Sequence, residues 1–120
     1  MPHTIAVDLD GVIHAYSKGW NDGTMYDVPV PGSREALEKL TAHGFRVVIV
    51  TARMNPKFPA ADKQEASVRE WLGQNGFKEG EHYHELTNNK PAAIAYIDDR
   101  AVVFTDWEQA IIDAKKLVPN

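Results

Sequence analysis

Apolar and polar positions along the chain sort into two alternating kinds of segment. Ile5–Val7 and Phe45–Val50 ("FRVVIV") are short apolar runs, the second rich in β-branched residues. They are too short for helices and predict strands buried on both faces. Ala93–Ile97 ("AIAYI") predicts a third strand, and "HYHEL" and "VVF" two shorter ones. Between the runs, apolar residues recur at spacings of three and four. Ser33 predicts the cap of a helix with Ala36, Leu37 and Leu40 inward and Gly44 as its stop. Asp62 and Glu65 form a capping-box-like start to a second helix, with Val68, Trp71 and Leu72 on its apolar face and Gly76 at its end. Asp106 predicts the cap of a last helix with Ala110, Ile111, Ala114, Leu117 and Val118 inward. Two stretches break the rhythm. Residues 11–32 are dense in turn formers, and Asn21-Asp22-Gly23 is placed to turn a small hairpin. Residues 51–60 form a loop carrying Pro56 and Pro59. The alternation predicts a three-layer α/β/α, Rossmann-like fold around a mainly parallel sheet, with a small flap at 12–32 after the first strand.

Composition narrows the function without naming it. The 120 residues fit one domain, spanning 1–120, and such a chain buries roughly two thirds of its unfolded surface without help from a disulfide or metal. There is no cysteine, which removes thiol catalysis, disulfides and cysteine metal sites. The net charge of −4 comes from interspersed acids and bases, which argues against a nucleic-acid binder with its basic face. A small phosphorylated substrate stays open, because local charge governs there. No apolar run approaches the ~20 residues that span a bilayer. "MPHTIAVD" lacks the basic-then-apolar order of a signal peptide. The expectation is a cytoplasmic protein without a membrane partner, monomeric or a homo-oligomer.

The chemistry gathers at the ends of the predicted strands. "IAV" runs into Asp8, with Asp10 two residues on. "VVIV" runs into Thr51, and "AIAYI" into Asp98 and Asp99. Lys90 stands in the loop leading to that last strand. Open parallel sheets bind ligands at the carboxyl ends of their strands. Four carboxylates converging there would repel one another, and a divalent cation would resolve the repulsion. Oxygen-only ligands favour Mg²⁺. A cation and Lys90 would together neutralise a phosphate. A carboxylate at a strand end could then attack phosphorus, while a second acid protonates the leaving oxygen and later activates water. Asp8 suits the nucleophile and Asp10 the acid/base. Thr51 can hydrogen-bond a phosphoryl oxygen, and Lys90 can offset charge in the transition state.

With these residues in view, the chain resembles the haloacid dehalogenase-like (HAD) superfamily nearly end to end. "DLDGV" is similar to its first motif, "VVIVTAR" to its second, Lys90 in "NNKP" to its third and "YIDDR" to its fourth, in the family's order. The resemblance implies a Mg²⁺-dependent phosphatase with a Rossmann-like fold and an aspartyl-phosphate intermediate. It implies Asp8 as nucleophile, Asp10 as acid/base, and Thr51 and Lys90 as phosphate partners. Asp8, the Asp10 backbone carbonyl and Asp98 would ligate the metal, with Asp99 beside them through water. An aspartate at position 10 points to phosphate-ester hydrolysis. The length leaves no room for a cap domain, so a small capless member is implied, and "KPAAIAYIDDRA" is similar to the ends of one small-phosphatase branch.

Other residues admit two readings each. Arg53 can hold a substrate phosphate or carboxylate, or form a surface ion pair. Arg100 reads as structural, His82 and His84 as an exposed strand face, and Trp71 and Trp107 as helix packing. His14 and Trp20 lie on the flap, where either could meet substrate or only pack. Two non-enzymatic functions compete. A phospho-accepting receiver domain carries the same kit of residues in a different order, with its acid pair early and a lone aspartate ending the central strand. Here that strand ends in Thr51. A phosphate-binding module without turnover is the other alternative.

Overall fold

The fold is that of a computed structural model, which describes residues 3–58 and 60–117. Pro59 of the predicted loop and Val118 of the predicted helix face lie outside them. The elements are β1 (Thr4–Asp8), α1 (Ser33–Ala42), β2 (Arg46–Val50), a single 3₁₀ turn (Ala52–Met54), α2 (Ala61–Gln74), β3 (Glu85–Thr87), β4 (Ala95–Ile97) and α3 (Trp107–Lys116). The four strands form one sheet in the order β3-β2-β1-β4, every pair parallel. This α/β arrangement is compatible with a Rossmann-like fold. No described helix is long and apolar enough to cross a membrane.

Parallel neighbours need crossovers, and α1 and α2 supply the first two. β1 and β2 pair from Thr4↔Arg46 to Asp8↔Val50. That register puts Ile5 beside Val47 and Val7 beside Ile49 on one face. These four join Leu37 of α1 and Val68, Trp71 and Leu72 of α2 in a single core. Each fully buried aliphatic side chain contributes about 1.5–3 kcal/mol relative to exposure. Ala6 and Val48 on the opposite face are buried too, so the central pair is covered on both sides, as its unbroken apolar runs predict. The same register sets Asp8 at the carboxyl edge beside Val50, with Thr51 the next residue along.

The helix starts differ from the predicted caps. Gly32, at φ 84°, precedes α1, and Ser33 is already helical, its buried hydroxyl without a partner. Ala60, also left-handed, precedes α2, so Asp62 falls inside the first turn, where its charge complements the helix dipole instead of capping. Asp106 does cap α3, accepting the Gln109 N–H at 2.8 Å. The 12–32 segment closes at its base, where Ala15 N–H donates to Val28 O and Val30 N–H to Ile13 O. Within it the chain makes a compact loop of the Ω kind, not a ladder of paired strands.

The C-terminal stretch departs furthest from expectation. "VVF" forms no strand, and α3 buries none of its residues. Trp107, predicted to pack, is 74% exposed, and Ile111 and Leu117 are also exposed. His82, predicted on an open strand face, is buried. Its Nδ1 accepts the Lys78 N–H at 2.9 Å, and the strand begins only at Glu85.

Candidate active site

The carboxyl edge of the sheet carries two groups of side chains that meet at Asp8. The first is acidic. Carboxylate oxygens of Asp8, Asp98 and Asp99 all lie within 4.8 Å of one another. β1 and β4 are hydrogen-bonded neighbours with Val7 beside Ile97, so Asp8 and Asp98 are the next residues on adjacent strands. Gly11 (φ 87°) lets the cluster close. A Cβ there would run into the Asp99 carboxylate, so the backbone itself makes room for the acid. Burial pushes the Asp8 carboxyl up to about 7, with the charges of Asp98, Asp99 and Asp10 adding to it, against one hydrogen bond from the Leu9 N–H. Such a trio of hard oxygen donors fits a divalent cation, and the charge that lifts Asp8 is what a cation would relieve.

The second group is built around Asp10, whose two oxygens are both engaged. His14 donates from Nδ1 to Oδ1 at 2.8 Å, and Arg53 from Nε to Oδ2 at 2.8 Å. The His14 tautomer follows from its other nitrogen, which accepts the Asp27 N–H at 3.1 Å and so leaves the proton on Nδ1. Burial alone would raise Asp10. The His14 hydrogen bond, and the hydrogen bond and charge of Arg53, outweigh it and hold the carboxyl below the usual range. Arg53 is only 2% exposed, so a surface ion pair is not its role. Its Nη1 donates to Gly23 O and to Gln64, while Nη2 is buried without a partner. The guanidinium faces the Trp20 ring at 5.0 Å and the Tyr16 ring at 5.7 Å. Tyr16 holds a left-handed φ of 57°, a conformation a bulky residue keeps only where surrounding contacts impose it.

Both groups open on a cavity of about 520 Å³, lined by Asp8, Asp10, Tyr16, Trp20, Ala52, Arg53, Phe58, Gln64 and Arg100. Thr51, 2% exposed, sits at the β2 end as predicted, but its Oγ1 accepts the Arg53 N–H at 3.2 Å and it is not part of the cavity wall. Lys90 is exposed, with its ammonium 4.1 Å from the centroid of the ring of Tyr96, which lines a small cavity together with Asp8 and Asp98, and it makes no salt bridge among the described residues. Arg100, expected to be structural, lines the cavity instead, and it too forms no salt bridge among the described residues.

Tyr16, Phe58 and Gln64 had no motif to announce them, and His14 was singled out only for its place on the flap. The available signals were weak: a histidine four residues after Asp10, and an aromatic at the centre of the loop after β2. A further group, Glu38, Glu81 and His82, also gathers side-chain ligand atoms. His82 accepts the Lys78 N–H on Nδ1, so the proton sits on Nε2 and leaves no lone pair there for a metal. No protein-family model matches the chain, and neither curated proteins nor solved structures provide a match.

Proposed function

We propose that the chain hydrolyses small phosphomonoesters through an aspartyl-phosphate, with Asp8 as nucleophile and Asp10 as proton carrier. One observation carries the reading: Asp8 stands where an acidic trio suited to a cation meets a cavity walled by Asp10 and two arginines. The order of the four motif-like segments, similar to that of HAD phosphatases, supports it. In the first half-reaction Asp8 Oδ bonds to phosphorus, the bond to the ester oxygen breaks, and that oxygen takes a proton from Asp10. In the second, Asp10 takes a proton from water, whose oxygen bonds to phosphorus as the Asp8–phosphorus link breaks.

Asp8, Asp98 and Asp99, with the Asp10 carbonyl, would hold Mg²⁺. When bound, it offsets carboxylate charge and polarises the phosphoryl group. Arg53 would hold Asp10 beside the phosphate, and Thr51, buried outside the cavity wall, would steady the Arg53 backbone. Lys90 would add positive charge from beside the Tyr96 ring, and Arg100 from the cavity wall. The 12–32 loop would serve as the flap over the site, and α3 would form the third layer of the fold only once its exposed face packs on the sheet.

Hydrolysis of a generic aryl phosphate, with and without Mg²⁺, tests the reading on wild type, Asp8→Asn and Asp10→Asn. Turnover is expected to need the cation. It should fall at least about a thousandfold in Asp8→Asn, the scale on which removal of a nucleophile registers. Wild-type turnover by Asp8→Asn sinks the nucleophile, and activity untouched by EDTA sinks the cation.

The double hold on Asp10 favours one alternative. Two donors keep it ionised, and an ionised Asp10 has no proton to give a leaving group. A phosphate-binding or phospho-accepting module without turnover would look like this. It would bind phosphate, or take up one phosphoryl group per chain, and release no product beyond that.

A further inference from the structure

The cavity is much larger than a phosphoryl group needs, and its chemistry is lopsided. Asp8 and Asp10 occupy one part. The remainder is walled by Trp20 from the loop after β1 and Phe58 from the loop after β2, with Tyr16 nearby. Trp20 is 50% exposed and Phe58 51%. Half-exposed aromatics from two separate segments, lining one concavity, are apolar surface that the described residues leave half uncovered. Ligand sites of this volume are commonly aromatic-walled, with a few polar groups that fix orientation. One such group stands out here: Arg53 Nη2 is buried and has no acceptor among the described residues, although Nε and Nη1 are both satisfied.

We propose that the cavity selects phosphomonoesters whose alcohol carries a flat aromatic ring system of nucleoside size. The ring lies against Trp20 and Phe58 and presents a hydrogen-bond acceptor to Arg53 Nη2. This rests on the phosphatase reading for the place of the phosphate beside Asp8. A short aliphatic alcohol would leave both rings wet and Nη2 unpaired. A phenyl ester such as phosphotyrosine would cover ring surface but carry no acceptor in the ring itself. Only a ring with its own carbonyl or ring nitrogen meets both demands.

The test compares kcat/KM for a nucleoside 5′-monophosphate, phosphotyrosine and glycerol 3-phosphate, all with Mg²⁺. The expected order is nucleotide, then phosphotyrosine, then glycerol phosphate. The nucleotide-to-glycerol-phosphate ratio should fall about tenfold in Trp20→Ala and in Phe58→Ala, the range in which loss of one stacking ring registers. Trp20→Phe, which keeps a flat ring, should restore most of it. Calorimetric binding of the nucleotide to Asp8→Asn gives a readout independent of turnover. If the nucleotide binds there and weakens with Trp20→Ala while wild type hydrolyses nothing, the ring site stands and the phosphatase reading falls. If all three esters are turned over alike, or phosphotyrosine leads, the ring site is overturned and the phosphatase reading survives. If nothing is hydrolysed and the nucleotide does not bind, both fall.

Discussion

Two regions of the molecule treat their apolar side chains in opposite ways. In the body, from β1 through α2, Ile5, Val7, Val47, Ile49, Val68 and Leu72 close into one core. In the C-terminal arm, from Ile94 before β4 to Leu117 after α3, the same residue types are left in water: Ile94, Ile97, Val103, Phe104, Ile111 and Leu117 are all exposed. Both regions are amphipathic, so hydrophobicity alone does not separate them. What separates them is partners. β1 and β2 have strands on both sides and two helices above, whereas β4 is an edge strand three residues long. The body therefore holds its own shape, and the arm meets it through the β1–β4 ladder and the acids beyond it.

The largest expected effect sets the two regions against each other directly. Leu72→Ala, in the body, is expected to cost about 2–5 kcal/mol, while Ile111→Ala, in the arm, stays within about 0.5 kcal/mol. Urea unfolding measures both, and a core-sized loss at Ile111 would mean the arm is packed in solution.

Trp71→Phe comes next. The indole N–H donates to Asp27 O at 2.9 Å, and Asp27 N–H in turn positions His14. Losing the donor and part of the ring should cost about 1–3 kcal/mol. It should also lower turnover, because Asp10 loses a fixed partner. A variant that loses stability alone would confine Trp71 to packing.

A third experiment asks whether a cation ties the regions together, since Asp8 belongs to the body while Asp98 and Asp99 belong to the arm. The raised Asp8 carboxyl keeps its proton up to about 7 in the folded chain but ionises near 3.8 when unfolded. Its stabilising contribution is therefore complete below about 3.8 and is lost as pH rises through about 7. Mg²⁺ should raise Tm more at pH 8 than at pH 5 and much less in Asp8→Asn. Hydrogen exchange should slow in β4 more than in β2. Equal gains at both pH values would remove Asp8 from the cation site.

The smallest effect lies in the loop of the body. Asp27 accepts from Ser17 N–H and Oγ at 2.8 and 2.6 Å, and these bonds, with the Val28 N–H, lower its carboxyl to about 2. That stability is present above about 3.8 and lost as pH falls through about 2. Asp27→Asn should flatten the acid limb of a melt series between pH 2 and 5. An unchanged limb would show that the loop does not depend on that carboxylate.

The same contrast explains what could be read from the sequence. β1, β2 and the apolar faces of α1 and α2 were legible because their partners are dictated by period and length. Asp8, Asp98 and Asp99 were legible as strand-end acids because parallel strands deliver their ends to one edge. The α3 stripe was legible as a stripe, but a stripe does not say what will cover it, and here nothing described does. Ser33 and Asp62 misled because a cap depends on where the chain enters the helix, and Gly32 and Ala60 enter left-handed. Arg53 kept two readings, substrate holder or surface ion pair, because its partner, Asp10, lies 43 positions away in the chain. Lys90 was read from its loop before the last strand, and the sequence carried no signal of the Tyr96 ring that its ammonium faces.

Gly11 contributes no functional side chain to the site, only its left-handed backbone and the space beside it. A chain that drifted to alanine there would keep every acid, every base and every motif-bearing strand, and an inventory of its functional groups would find none missing. Yet alanine would be strained at that φ, and its methyl would force the Asp99 carboxylate to move. The integrity of this site therefore depends on a volume as much as on its carboxylates. An engineer transplanting the acids to another scaffold would have to transplant the gap as well.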